Sequence, residues 1–140
     1  LAWANSNWTH LDISTGLPAR LTPADTDNYV LGEKMEMDYA PRKIKLPEDM
    51  IAQEAFTVQK HHLDTNHHVN NCQYVCMAVD FLPESFKIYQ MRAEYKMQAK
   101  LGDVICPKVK TETDKVVVSL DNIEGKAYAI VEFLKKEGDI

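Results

Sequence analysis

The sequence predicts an α+β fold in which a curved antiparallel sheet wraps one central helix. Three observations carry this expectation. Between residues 69 and 81, Cys72, Val75, Cys76 and Val79 recur at helical spacing, while Met77, Ala78 and Phe81 make much of the remaining surface apolar. A helix apolar nearly all round is usually a buried one. Next, Tyr89, Met91, Ala93, Tyr95, Met97 and Ala99 alternate with Gln90, Arg92, Glu94, Lys96, Gln98 and Lys100. That two-residue period belongs to a strand with one buried face and the other wet or paired. Finally, further strand-like runs follow one another after Gly102-Asp103 with only short turns between them.

From the amino end, Trp3 to Asp12 and Gly16 to Leu21 read as two short strands about a Ser14-Thr15-Gly16 turn. Thr22-Pro23 reads as a helix start, with Thr capping and Pro in the first turn of a weak helix through about Met35. Pro41 and Pro47 bracket an extended stretch rich in Lys and Arg, which reads as a linker. It separates residues 1–47 from a second unit, 48–140. Phe56 to Gln59 is a short strand leading into a polar cluster, and the apolar helix from about Val69 to Phe81 ends at Leu82-Pro83. The strands expected after it are Tyr89 to Leu101, Val104 to Glu112, Lys115 to Asp121 and Lys126 to Lys135. The last two pair across Asn122-Ile123-Glu124-Gly125.

An apolar content of 45% in 140 residues supports a real core, and no run is long enough to cross a bilayer. Leu1 stands where an initiator methionine is expected, which suggests an incomplete product. Three cysteines, Cys72, Cys76 and Cys106, fit no zinc or redox spacing and favour a reducing compartment. The net charge of −5 argues against a general binder of nucleic acid or anionic membrane.

The chemistry concentrates at Asp64, Asn66 and His68, just before the apolar helix. In an extended approach these three would project to one side. Val69, Asn70 and Asn71 would then offer backbone N–H groups at the positive end of the helix dipole, suited to a carbonyl oxygen gaining charge. Imidazole titrates near neutral pH, and a carboxylate neighbour can orient it. No serine lies nearby and Cys72 falls on the apolar helix face, so attack by water is the natural chemistry. His61-His62 and His67-His68 invite a metal reading, but adjacent residues of an extended segment point oppositely and no fourth ligand is evident. Neither a metal nor an organic cofactor is expected.

The string Leu63-Asp64-x-Asn66-x-His68-Val69-Asn70-Asn71-x-x-Tyr74 resembles the signature of acyl-acyl-carrier-protein thioesterases of bacteria and plant plastids. Further similarity lies in Trp8-x-x-Leu11-Asp12 with Thr15-Gly16-x-Pro18-x-Arg20, in Arg42-Lys43-Ile44-x-x-Pro47, and in Glu94-Tyr95-Lys96. The resemblance implies two tandem hotdog domains in the family. This chain would hold the end of the first with the linker (1–47) and the second (48–140). It also implies hydrolysis of fatty acyl-carrier-protein thioesters to free fatty acid, and a bacterial cytoplasm in preference to plastid stroma. Asp64, Asn66 and His68 fall on the proposed catalytic positions, and Gln98 falls where the family has a Glu read as the water-activating base. Glutamine cannot accept a proton but can position water. Partners implied are the acyl carrier protein, received by basic residues such as Arg42, Lys43, Lys45 or Lys100, and either another copy or the missing first hotdog. A non-catalytic hotdog for acyl binding or dimerisation, and an acyl-CoA thioesterase, stay open.

Overall fold

Runs such as Val116-Val117-Val118, β-branched and free of proline, favour the pleated, half-buried surface of a sheet. The computed structural model describes residues 2–37 and 39–135. Its long strands are β3 (Ile88–Tyr95), β4 (Val104–Thr111), β5 (Lys115–Asp121) and β6 (Ala127–Lys135), with two-residue strands β1 (Ile51–Ala52) and β2 (Phe56–Thr57). All pairings are antiparallel, in the order β1-β4-β5-β6-β3, with β2 also on β4. The Gln53 N–H reaches the Pro107 carbonyl at 2.9 Å, whereas Pro107 has no N–H to return on that edge. The edge of β4 is therefore shared by two short strands rather than one long one.

The chain divides into two compact units, Leu1–Tyr39 and Ala40–Ile140. In the first, the expected hairpin is reduced to a turn. The Gly16 N–H donates to the Asp12 carbonyl at 2.7 Å, the chain closes by a bridge between Leu11 and Pro18, and Gly16 has a φ of 68°. The expected helix through Met35 is one turn, α1 (Pro23–Thr26), with Thr22 at the N-cap as expected; its N–H and hydroxyl both donate to Asp25 Oδ2, at 2.8 and 2.7 Å. With Tyr29, Val30 and Leu31 all exposed, it has no apolar face to bury, and short helices are not sustained by propensity alone.

In the second unit, the helix α2 (Asn71–Val79) lies on the sheet by a stripe of Tyr74, Met77 and Ala78. They meet the inward residues Ile105, Val116, Val118, Leu120, Val131 and Phe133. The stripe differs from the expected one. Cys72 and Cys76 are exposed and Val79 is 39% exposed, because the sheet covers only one side of an apolar helix. The outward face of the sheet is crossed by residues 41–50. Arg92 donates to the Pro41 carbonyl, the Ile44 N–H to Glu94 Oε2 at 3.0 Å, and Lys110 pairs with Asp49. Ile44, 6% exposed, packs on Val117 and Ile130. This is why β5 and β6 are buried on both faces and show no alternation.

The same strap corrects the reading of β3. Its polar residues Arg92 and Glu94 are half-buried beneath the crossing segment, with Arg92 ion-paired to Glu132 at 2.7 Å. Its apolar residues Tyr89, Met91 and Tyr95 are exposed on this edge strand, although the Tyr95 ring lies 6.2 Å from that of Tyr74 on α2. The two-residue period is real, but which face is covered depends on what crosses it.

Candidate active site

Polar side chains next to backbone N–H groups compete with extended structure, and this governs residues 63–69. After β2, Val58 enters the core and Lys60–His62 form a single 3₁₀ turn, with the Gln59 N–H donating to His62 Nδ1 at 2.9 Å. Leu63 and Val69 then face each other as an isolated bridge, and the Asp64 N–H donates to the His68 carbonyl at 2.8 Å. Residues 64–68 thus form a closed loop, which corrects the expected extended approach. Asp64 Oδ1 accepts from the Asn66 N–H at 2.8 Å and the His68 N–H at 3.3 Å, the turn that an Asp side chain builds with donors ahead of it. His67 sits at a φ of 60°, a left-handed conformation that histidine tolerates better than bulkier residues. Asp64 thus holds the backbone at Asn66 and His68 by closing a loop, not by alternation. Asp64 and His68 are half-buried and Asn66 is exposed.

At the helix start, Asn70 caps α2 by accepting the Cys72 N–H at 2.9 Å. Two of the three expected donors are already used. The Val69 N–H donates to the Ala99 carbonyl and the Asn70 N–H to the His62 carbonyl, each at 2.9 Å. Among the described residues the Asn71 N–H makes no hydrogen bond, so it is the donor left at the positive end of the helix.

Gln98 lies past the end of β3, not within a strand reaching Leu101 as expected. The Lys96 and Met97 N–H groups both donate to the Tyr128 carbonyl, at 2.8 and 3.2 Å, so one acceptor serves two residues and the strand peels away. Gln98 is exposed, but the next residue, Ala99, is fully buried against the helix start through its bond from Val69.

The sequence reading missed the polar groups under this corner. The Ala99 N–H donates to the Tyr74 hydroxyl at 2.8 Å, and Tyr128 donates to Asp103 Oδ2 at 3.2 Å, which also accepts the Lys100 N–H at 2.9 Å. The available signal was Tyr74 itself, a hydroxyl within an apolar helix that must find a partner once buried. Burial pushes the Tyr74 phenol up from its ordinary value. Burial and the Asp103 carboxylate push Tyr128 to about 12. A phenol whose folded value exceeds its unfolded value near 10 stabilises the fold fully below that pH and loses this contribution as pH rises through about 12. Stability measured by denaturant titration is therefore expected to fall across that window, and Tyr128→Phe to flatten the dependence.

A cavity of about 700 Å³ lies elsewhere, between the crossing strap and the outward face of the sheet. Leu46, Met50, Met97, Asp121 and Ile130 line it, and no residue of the 64–68 loop does.

A family model described as the acyl-ACP thioesterase C-terminal domain matches residues 45–133. Comparison with curated proteins finds no match. Among solved structures, an acyl-ACP thioesterase from Bacteroides thetaiotaomicron superposes with a TM-score of 0.76 at 16% identity, over 90% of this chain and 53% of that one. The 12:0-ACP thioesterase from Umbellularia californica gives a TM-score of 0.70 at 17% identity, over 90% and 51%. A hypothetical protein from Staphylococcus aureus in complex with CoA gives 0.54 at 17%, over 63% and 75%. The chain thus has the hotdog architecture of the first two, and spans about half of their length.

Proposed function

The chain belongs to the acyl-ACP thioesterase family, matching its C-terminal domain, and from that premise we propose that it serves hydrolysis of fatty acyl-carrier-protein thioesters to free fatty acid and carrier thiol. The observation that carries the reading is the closed 64–68 loop, which sets Asn66 and His68 directly before the start of α2. Water adds to the thioester carbonyl, the carbon–sulfur bond breaks, and the departing thiolate takes up the proton that water released. His68 holds that proton in transit, because an imidazole is suited to proton transfer near neutral pH and Gln98 cannot accept a proton, while Asp64 Oδ1 is engaged in closing the loop. Asn66 positions the thioester, Asp64 holds the loop in shape, and the Asn71 N–H steadies the oxygen as it becomes negative. Gln98 orients the water.

On this reading residues 1–47 are the end of a first hotdog domain with its linker and 48–140 the second domain, although the linker from Ala40 on packs with the second unit. The uncovered apolar stripe of α2, with Tyr89, Met91, Tyr95 and the open edge of β3, supports a partner there. That partner is the missing first hotdog or a second copy. Gln98 favours one rival, a non-catalytic hotdog that binds acyl chains or mediates dimerisation.

Fatty acid release by the intact parent protein, assayed with acyl-carrier-protein and acyl-CoA substrates of the same chain, separates these readings. Release from the carrier-linked substrate with higher kcat/KM is the expected result. Preference for acyl-CoA would reassign the substrate, and release from neither would leave the binding module.

A further inference from the structure

We infer that Tyr74 is a positioning residue of this site: its buried hydroxyl holds the backbone of Ala99 and thereby fixes Gln98 beside the start of α2. The inference rests on the proposed hydrolysis. Tyr74 is 2% exposed and Ala99 is fully buried. Both peptide groups of Ala99 are held from the helix side, its N–H by the Tyr74 hydroxyl at 2.8 Å and its carbonyl by the Val69 N–H at 2.9 Å. Residues 98 and 99 need such a hold, because the Met97 N–H makes the last bond to β6, at the Tyr128 carbonyl, and the chain then leaves the ladder of β3 and β6.

A phenylalanine at 74 would pack the same ring. The hydroxyl is costly to bury unless it is bonded. Its contribution is to replace the missing strand neighbour at one peptide. That peptide stands between Gln98, which faces solvent, and Val69, the last residue before the Asn70 cap. The exposed wall of the site and the helix start are thus joined by two hydrogen bonds through one alanine. On the far side the Lys100 N–H to Asp103 bond, itself supported by Tyr128, pins the segment again. With the Met97 N–H on the Tyr128 carbonyl before it and Ala99 after it, Gln98 is held from both sides without being gripped itself.

The test is a double-mutant cycle in the intact parent, using palmitoyl- and oleoyl-carrier-protein as substrates. Tyr74→Phe is expected to lower kcat about tenfold with KM unchanged. In a Gln98→Ala background the same change should cost less than about twofold, because the group it positions is gone. Amide exchange at Ala99 should quicken in Tyr74→Phe. Should that variant not fold, 3,5-difluorotyrosine at position 74 keeps the ring and weakens the oxygen as an acceptor, and a smaller kcat loss in the same direction is expected. Additive losses in the cycle, or an unchanged kcat with either replacement, would overturn the inference while leaving the hydrolytic reading intact. A parent that hydrolyses neither substrate would overturn both.

Discussion

Asp64→Ala is expected to lower kcat/KM for carrier-linked thioesters by about a hundredfold, with Asn66→Ala and His68→Ala each costing at least about tenfold. The ordering follows from the loop. Asn66 and His68 each contribute one side chain, whereas Asp64 holds the N–H groups of both through a single oxygen. Removing the carboxylate frees the backbone from which both side chains project, and a displacement of about 1 Å at a reacting centre suffices for a loss of this size. On the proposed function the loss should fall mainly in kcat, since the loop residues act on the reacting carbonyl rather than on the rest of the substrate. Stability should change little, because loop 64–68 lies mostly at the surface. Steady-state kinetics on the folded parent protein provide the measurement. Wild-type rates in Asn66→Ala and His68→Ala would remove the catalytic assignment. An Asp64→Ala loss no larger than theirs would remove the account of the loop.

Phe133→Ala should produce the largest stability change, about 3–5 kcal/mol. Phe133 is fully buried on β6, opposite Val116 of β5 on one side and Met91 of β3 on the other, with its ring in the core beneath α2. Neighbours on two hydrogen-bonded strands cannot close the void without breaking register, so little of the lost packing is recovered. Against a total of about 5–15 kcal/mol for an ordinary domain, such a loss lowers Tm by roughly 12 °C or more. Equilibrium denaturation should show a lower midpoint at an unchanged slope. As a contrast, Ile123→Ala, at a residue 78% exposed in the β5–β6 turn, should change stability by no more than about 0.5 kcal/mol. Equal effects at the two positions would contradict the core described above.

Strand positions after residue 103 were legible almost to the residue, as was the turn at Asn122–Gly125, because local pattern and burial agree there. The sequence also signalled a helix after the polar cluster, a cap at Thr22 and the family signature. Reading failed where a residue's surroundings come from distant chain. The weak helix after Thr22 shrank to one turn for want of a face to pack on. Cys72 and Cys76 were expected in the core, yet the sheet took the neighbouring stripe of Tyr74, Met77 and Ala78. A helix apolar on every side carries no mark of which side will be covered.

The same limit held at the site. Residue type picks out Asp64, Asn66 and His68, but the alternation of an extended segment does not describe them, because the Asp64 carboxylate closes a loop. The use of the Val69 and Asn70 N–H groups by Ala99 and His62 could not be foreseen, since both acceptors are set by folding.

By itself, the order of residues determined which segments become strands or helix and which side chains carry chemistry, since intrinsic preference and periodicity act within a few residues. Only the tertiary structure decided which faces are covered, which helix-start N–H groups are taken by Ala99 and His62, and that Tyr74 grips Ala99. Those outcomes come from hydrogen bonds and packing between segments far apart in the chain, whose pairing no local pattern encodes.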